Sequence, residues 1–181
     1  MWFYYKPDST DKPFFYWKGV IKPAPLIFVT GTDKFDGTGN LKIKIFGLFT
    51  IGNKKGTESD KAELLRYLAE MLWFPTSVLS DFVTWEEIDP LTAKGIIVWE
   101  GINVEATFYF AEDGRLINTI SKRYMDKGRY ETWETPVEGY ADFNGYLLPY
   151  KGPAIYKLEE GDFKYIDIEI TDIEFNVKEI Y

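Results

Sequence analysis

The stretch Ile102–Phe110, with the sequence INVEATFYF, decides the fold class because its apolar and polar residues alternate. Successive side chains of a β-strand point to opposite faces, so this alternation predicts a strand with one buried face. The two-residue period recurs on both sides of this stretch, at 41–51, 93–99, 116–124, 129–135 and 163–177. In the last of these stretches the apolar residues change parity near Thr171, which predicts a β-bulge in one long bent strand.

Turn signals separate these predicted strands. Glycine-containing turns lie at 36–40, 112–114 and 159–162, and Asn144-Gly145 is typical of a type I′ hairpin. Strands joined by such short turns must be antiparallel, because a parallel crossover needs a longer connection. The sequence therefore predicts an antiparallel meander of about nine to eleven strands.

One segment, at 58–74, has helical spacing instead. Its apolar residues recur every three or four positions, which is the pattern of one helix face. These residues are Leu64, Leu65, Leu68, Met71 and Leu72. Pro75 follows and predicts that the helix ends at Phe74. Such an apolar helix must be covered along one face, and we expect it to pack onto the concave side of the sheet.

Polar residues of the same segment suggest how the helix begins and which side faces water. Thr57 and Asp60 form a candidate capping pair. Arg66 and Glu70 are four residues apart, which predicts an ion pair on the polar side of the helix.

The composition excludes several kinds of chemistry. The 181 residues include no His and no Cys. A Ser-His-Asp triad, a thiol nucleophile, a disulfide and a Cys/His zinc site are therefore excluded, and we predict no cofactor and no metal. The formal net charge of −8 predicts no nucleic-acid partner, because binding to phosphates depends on cationic side chains.

The sequence also gives expectations about location. No stretch approaches the roughly 18 apolar residues that a transmembrane helix needs, so we predict no transmembrane segment. Together with the absence of Cys, this predicts a cytoplasmic protein. The chain lacks Gln and is rich in Lys and Glu, a bias that is typical of thermophiles.

Several sequence blocks have an order and spacing that are moderately specific. They are DGTG at 36–39 followed by LKIK at 41–44, LRYLAEMLWFPT at 65–76, VTWEEID at 83–89, NGYLLP at 144–149 and GDFKY at 161–165. Over about residues 14–177 they resemble a prokaryotic family of unknown function, which itself resembles the lipoprotein-carrier (Lol-type) group. The resemblance implies an unclosed antiparallel half-barrel with helices packed in its mouth, and it brings no catalytic residues.

From the strand and helix patterns and from the family resemblance we predict a single domain, 1–181, of the mostly β (α+β) class. A single antiparallel sheet is expected to curl into an unclosed half-barrel, with one principal helix packed on its concave side.

Aromatic residues are unusually frequent in this chain. Of the 181 residues, 18% are Phe, Trp or Tyr, which either fill a core or line a cavity for an apolar ligand. We predict a cavity of at least a few hundred Å³, with side chains from the sheet as its wall and from the helix as its lid. The candidates are Trp99, Phe108, Phe110, Tyr124 and Trp133 for the wall and Leu68, Met71 and Leu72 for the lid.

Arg123 is a further candidate, since it is one of only four arginines and lies in a predicted strand. An inward-facing arginine needs a carboxylate partner, so a structural ion pair is favoured over an anion-binding role.

Three functions remain open. The first is non-enzymatic binding of a hydrophobic ligand, a lipid or acyl chain, in the half-barrel cavity. The second is a structural or protein-interaction domain whose core is filled. The third is a carboxylate-based hydrolase, because carboxylates are the only conventional acid–base groups available. Its candidates cluster at 86–89, 159–162 and 167–169, where solvated faces and turns are the favoured explanation of the acidic residues.

Overall fold

The computed structural model describes residues 1–5, 12–126 and 128–177, apart from the side chain of Pro23. Thirteen strands are present in these described residues. They are β1 (Trp2–Tyr5), β2 (Phe14–Ala24), β3 (Ile27–Asp36), β4 (Gly39–Ile45), β5 (Phe49–Lys54), β6 (Val83–Asp89), β7 (Thr92–Trp99), β8 (Ile102–Phe110), β9 (Leu116–Asp126), β10 (Arg129–Glu134), β11 (Gly139–Phe143), β12 (Tyr146–Leu158) and β13 (Gly161–Glu169). The predicted fold class is confirmed: the described part of the chain is mostly β and antiparallel, with one principal helix and with sheets that are not closed into a barrel.

The strands form two hydrogen-bonded sheets, whereas the sequence pattern predicts a single sheet. The first sheet contains β1 to β5 in chain order. The second contains β6 to β13. The chain passes from β5 to β6 through the helical segment, so these consecutive strands are not hydrogen-bonded neighbours.

Strand β12 has partners along both edges. Its residue Lys151 pairs with Gly139 of β11 and with Glu169 of β13. Strands β10 and β11 lie end to end along the same edge of β12, and the chain between them contains Pro136. A proline has no N–H to donate, which suits a break in the ladder. Pro136 and Val137, in this break, form part of the wall of a cavity.

The predicted type I′ hairpin is confirmed between β11 and β12. Asn144 and Gly145 have φ angles of 54° and 90°, the positive values that this turn requires.

The predicted bulge near Thr171 is wrong, because β13 ends at Glu169. The register shift lies earlier in the strand, at Tyr165, which has no partner in β12.

The helix α1 spans Thr57–Glu70 and continues as a 3-10 turn over Met71–Trp73. A second 3-10 turn spans Pro75–Leu79. Helical backbone thus reaches within one residue of the predicted end at Phe74. No helix in the described part of the chain is long and apolar enough to cross a membrane.

The predicted capping pair is wrong, because Gly56 occupies the N-cap and no side chain caps the helix. Asp60 has another role, since its Oδ1 accepts a hydrogen bond of 2.7 Å from the backbone N–H of Gly39. This contact ties the first turn of α1 to the start of β4.

The core lies between α1 and the two sheets. The helix packs against β3 and β4 of the first sheet and β7, β8 and β9 of the second. Its predicted apolar face is buried there, together with aromatic residues of both sheets. The main contributors are Phe15, Phe35, Leu64, Leu65, Leu68, Met71, Ile97 and Phe108.

The close approach of β4 to α1 makes a testable prediction. A Cβ atom at Gly39 would lie 2.8 Å from the backbone oxygen of Ser59, so that strand and helix would have to separate. Gly39→Ala should lower the free energy of unfolding by about 1–3 kcal/mol, measured by urea denaturation. The control Thr38→Ala, on an exposed side chain of the same turn, should stay within about 0.5 kcal/mol of the wild type. Equal stability of Gly39→Ala and Thr38→Ala would show that β4 does not approach α1 this closely at Gly39.

Candidate ligand-binding site

Three charged residues of α1 share the helix face that meets the first sheet. Glu63, Arg66 and Glu70 are spaced by three and four residues, so they lie on one face. Arg66 donates from Nη1 to Asp33 Oδ2 of β3 and from Nε to Glu70 Oε1, both at 2.7 Å. The predicted Arg66–Glu70 ion pair is therefore present. It is buried against the sheet and does not face water.

Aromatic rings and a phenol complete the surroundings of Arg66. Its guanidinium lies 5.2 Å from the ring centre of Trp17 in β2. The Tyr5 hydroxyl donates a hydrogen bond to Glu70 Oε2. Burial and the neighbouring Glu70 carboxylate raise the pKa of Tyr5 well above its usual value, so the phenol keeps its proton.

Arg123, from β9, approaches the same helix from the second sheet. Its Nη2 lies 3.8 Å from Glu63 Oε2, so the acidic side chain that the sequence predicts beside Arg123 is Glu63. It also donates to the Ala62 carbonyl at 3.2 Å and to the Tyr156 hydroxyl at 2.9 Å. The guanidinium lies 5.1 Å from the ring centre of Trp133.

Glu63 and Asp33 form a pair of buried acids between the two arginines, with exposed fractions of 4% and 3%. Burial and the nearby Asp33 carboxylate raise the pKa of Glu63 to about 8, from an ordinary value of 4.5. Glu63 is therefore mostly protonated at neutral pH. The buried group then contains two arginines and the two carboxylates of Asp33 and Glu70, and its formal charge is zero.

The two arginines keep their charge despite burial. Burial by itself favours the neutral form of Arg66, but the carboxylates of Glu70 and Asp33 outweigh it and raise the pKa of Arg66. The group of Asp33, Glu63, Arg66, Glu70 and Arg123 is called the ion cluster below.

The ion cluster forms one wall of a cavity of about 310 Å³. Residues of both sheets and of the helical segment surround this space, and apart from the ion cluster they are mostly apolar. The remaining lining residues are Trp17, Leu41, Ala69, Leu72, Trp73, Trp133, Thr135, Pro136, Val137, Pro149, Lys151, Gly152, Pro153, Ala154, Tyr165, Ile166 and Ile168.

Two side chains that line the cavity, Trp17 and Thr135, carry a buried polar atom, Nε1 and Oγ1, with no hydrogen-bond partner in the described residues. The unpaired oxygens of Asp33 and Glu63 belong to one buried acid pair, and a side-chain hydrogen bond between these two acids contributes to the raised pKa of Glu63. Buried polar groups are normally satisfied, because desolvation without a partner is costly. All of these atoms are out of reach of water, so they lie behind the surface of the cavity and not on it.

The structure brings three of the nine predicted cavity residues to this space, namely Leu72, Trp133 and Arg123. It places Leu68, Met71 and Phe108 in the core and packs Trp99 and Phe110 against that core. Tyr124 lies with Arg123 at a separate small crevice. The reason is that the middle of α1 fills the hollow over β7 and β8, while the cavity lies beside the C-terminal part of the helix.

Sequence reasoning missed Asp33, Glu63, Arg66 and Glu70 as site residues. The helical spacing of the last three is visible in the sequence, and Arg66 is one of only four arginines. The same spacing is typical of a solvated helix face, and only the position of the first sheet shows that this face is buried.

The fold and the site define a mostly β protein in which one helix separates two sheets beside a cavity that contains buried, paired charges. No curated protein and no solved structure matches the chain. The profile of a family of unknown function, DUF6544, matches residues 8–168. The chain belongs to this family.

The protonated state of Glu63 makes stability depend on pH. The folded state holds a proton that the unfolded chain releases near pH 4.5, so the free energy of unfolding should fall as pH rises from about 4.5 to 8. The slope should approach about 1.4 kcal/mol per pH unit. Because the chain has no His, few other groups titrate in this interval.

Urea denaturation across this interval checks the expectation. Glu63→Gln cannot ionise and should flatten the profile, whereas Glu87→Gln, on an exposed side chain, should keep the wild-type slope. Parallel profiles for wild type and Glu63→Gln would show that Glu63 is not the titrating group.

Removal of the Arg66 guanidinium should be strongly destabilising. Arg66→Met leaves Asp33 and Glu70 buried without their cation, at an expected loss of about 3–5 kcal/mol. Arg129→Met is the matched control, because Arg129 forms only partly exposed ion pairs and should lose less than about 1 kcal/mol. Chemical denaturation measures the free energy of unfolding of both variants. Similar decreases in the two would contradict a central role for Arg66.

Proposed function

We propose that the protein binds a hydrophobic ligand, a lipid or acyl chain, in the cavity and does not change it chemically. One observation supports this best: a space of about 310 Å³ has mostly apolar walls and paired, buried charges along one side. This volume is at the lower end of the usual range for ligand pockets. The Lol-type resemblance of the sequence points to the same kind of ligand.

The chemistry of the walls suggests how such a ligand lies. Leu72, Val137, Ile166 and Ile168 offer aliphatic surface for a hydrocarbon chain. The polar end would lie at the ion cluster, where the guanidinium groups of Arg66 and Arg123 already have partners.

The ion cluster also limits the charge of that polar end. The two arginines are balanced by the carboxylates of Asp33 and Glu70, so a bare anion would add an unpaired negative charge beside them. A neutral head group therefore fits better than a bare anion.

A carboxylate-based hydrolase remains a second candidate, because Asp33 and Glu63 are two acids in one cavity with a raised pKa on Glu63. Such pairs act as acid and base in several enzyme classes. The interaction domain with a filled core remains the third. A cytoplasmic location and a thermophilic origin stay predictions from composition.

Binding of a fluorescent fatty acid, cis-parinaric acid, tests the proposal. The wild type should bind it and enhance its emission, because the cavity removes the probe from water. Ala69→Leu combined with Leu72→Trp adds bulk to two lining positions and should weaken binding by about tenfold or more, since each methylene excluded from the cavity costs about 0.8 kcal/mol.

The matched control is Leu79→Trp, because Leu79 is exposed and does not line the cavity. It should bind the probe as the wild type does. Circular dichroism verifies that all variants fold. Absence of binding by the folded wild type would overturn the proposal, and so would unchanged binding by the variant with the filled cavity. Recovery of hydrolysed acyl ester after incubation would favour the second candidate.

A further inference from the structure

The first sheet has a charge opposite to that of the whole protein. The segment from Phe14 to Lys54, which forms β2 to β5, contains six lysines and two aspartates, a formal charge of +4 in a chain with −8. Asp33 is buried in the ion cluster and Asp36 pairs with Lys12. Both negative charges of this segment are therefore already engaged.

Strand register places four of the lysines on one face. Lys18 aligns with Thr32 and Thr32 with Lys42, while Thr30 aligns with Lys44. Lys34, two residues beyond Thr32 in β3, points to the same side. This face is the one opposite to Trp17, Asp33 and Leu41, which line the cavity.

These four lysines lie on the outer face of the sheet, away from the helix. Within the described residues none of them forms an ion pair with a carboxylate. No carboxylate in the described part of the chain therefore neutralises these lysines. The outer face presents them together with threonines, asparagines and the aromatic side chains of Trp2 and Tyr16.

Exposed apolar side chains lie at one end of the same sheet, where the β2–β3 and β4–β5 hairpins turn. Leu26 is 89% exposed and Leu48 is 74% exposed. Phe28 and Phe46 join the two hairpins through an edge-on ring contact of 5.8 Å. The other exposed members of this patch are Val20, Ile21, Ile27, Phe49 and Ile51. A patch of this kind on a protein surface indicates an interaction site.

We propose that the first sheet docks onto a membrane surface that contains anionic lipids. The apolar hairpin ends would enter the interface, and the lysines of the outer face would lie near the lipid phosphates. The acidic remainder of the chain is repelled by such a surface, which orients the first sheet towards it. Aliphatic tips such as Leu26 and Leu48 suit a hydrocarbon boundary and offer nothing to nucleic-acid bases. Docking of this sheet onto a membrane does not require a ligand in the cavity.

Vesicle flotation tests the proposal with the whole chain. The wild type should float with vesicles of phosphatidylcholine and phosphatidylglycerol at low salt, and much less with phosphatidylcholine alone. Leu26→Ser with Leu48→Ser should weaken binding by about tenfold or more, since two apolar side chains leave the interface. Lys42→Gln with Lys44→Gln should weaken binding by a similar factor and reduce its dependence on salt.

Matched controls are Leu79→Ser and Lys122→Gln, which change an exposed leucine and an exposed lysine outside the first sheet. They should bind as the wild type does. Absence of anionic-vesicle binding by the folded wild type would overturn the proposal. So would equal binding to both kinds of vesicle, or a loss in the controls as large as that in the hairpin variants.

Discussion

The structure depends on the burial of the Arg66 guanidinium between a helix and a sheet. One cation joins Asp33 of the first sheet to Glu70 of α1, at 2.7 Å in each case. A charge can be removed from water only if its partners compensate the loss of hydration. The first sheet is therefore held against the helix by paired charges as well as by apolar contacts, and it cannot shift without separating them.

The same arrangement explains why the cavity wall is polar on one side. Five ionisable side chains meet where the two sheets face the same helix, and protonation of Glu63 lets their formal charges cancel. The ion cluster thus places paired, buried charges along one side of an otherwise hydrophobic space. The residues that hold the first sheet against the helix are therefore also part of the cavity wall.

Local patterns in the sequence predicted most of the fold. Alternation in Ile102–Phe110 and the Asn144-Gly145 turn act over a few residues, and both are confirmed. The division into two sheets could not be predicted, because hydrogen bonding between strands is a long-range property. The ion cluster was missed for a similar reason: Asp33 and Arg66 lie far apart in the chain, and only their packing turns an ordinary polar helix face into a buried site.

Trp73 joins the helical segment to the second sheet beside the cavity. It belongs to the 3-10 turn that follows α1, lines the cavity and donates from Nε1 to the Pro149 carbonyl of β12 at 2.9 Å. Hydrogen bonds in 3-10 turns have poorer geometry than those of an α-helix. Local opening at Trp73 should therefore cost less free energy than separation of paired strands, which makes this turn the part of the cavity wall whose backbone amides should exchange with solvent most readily.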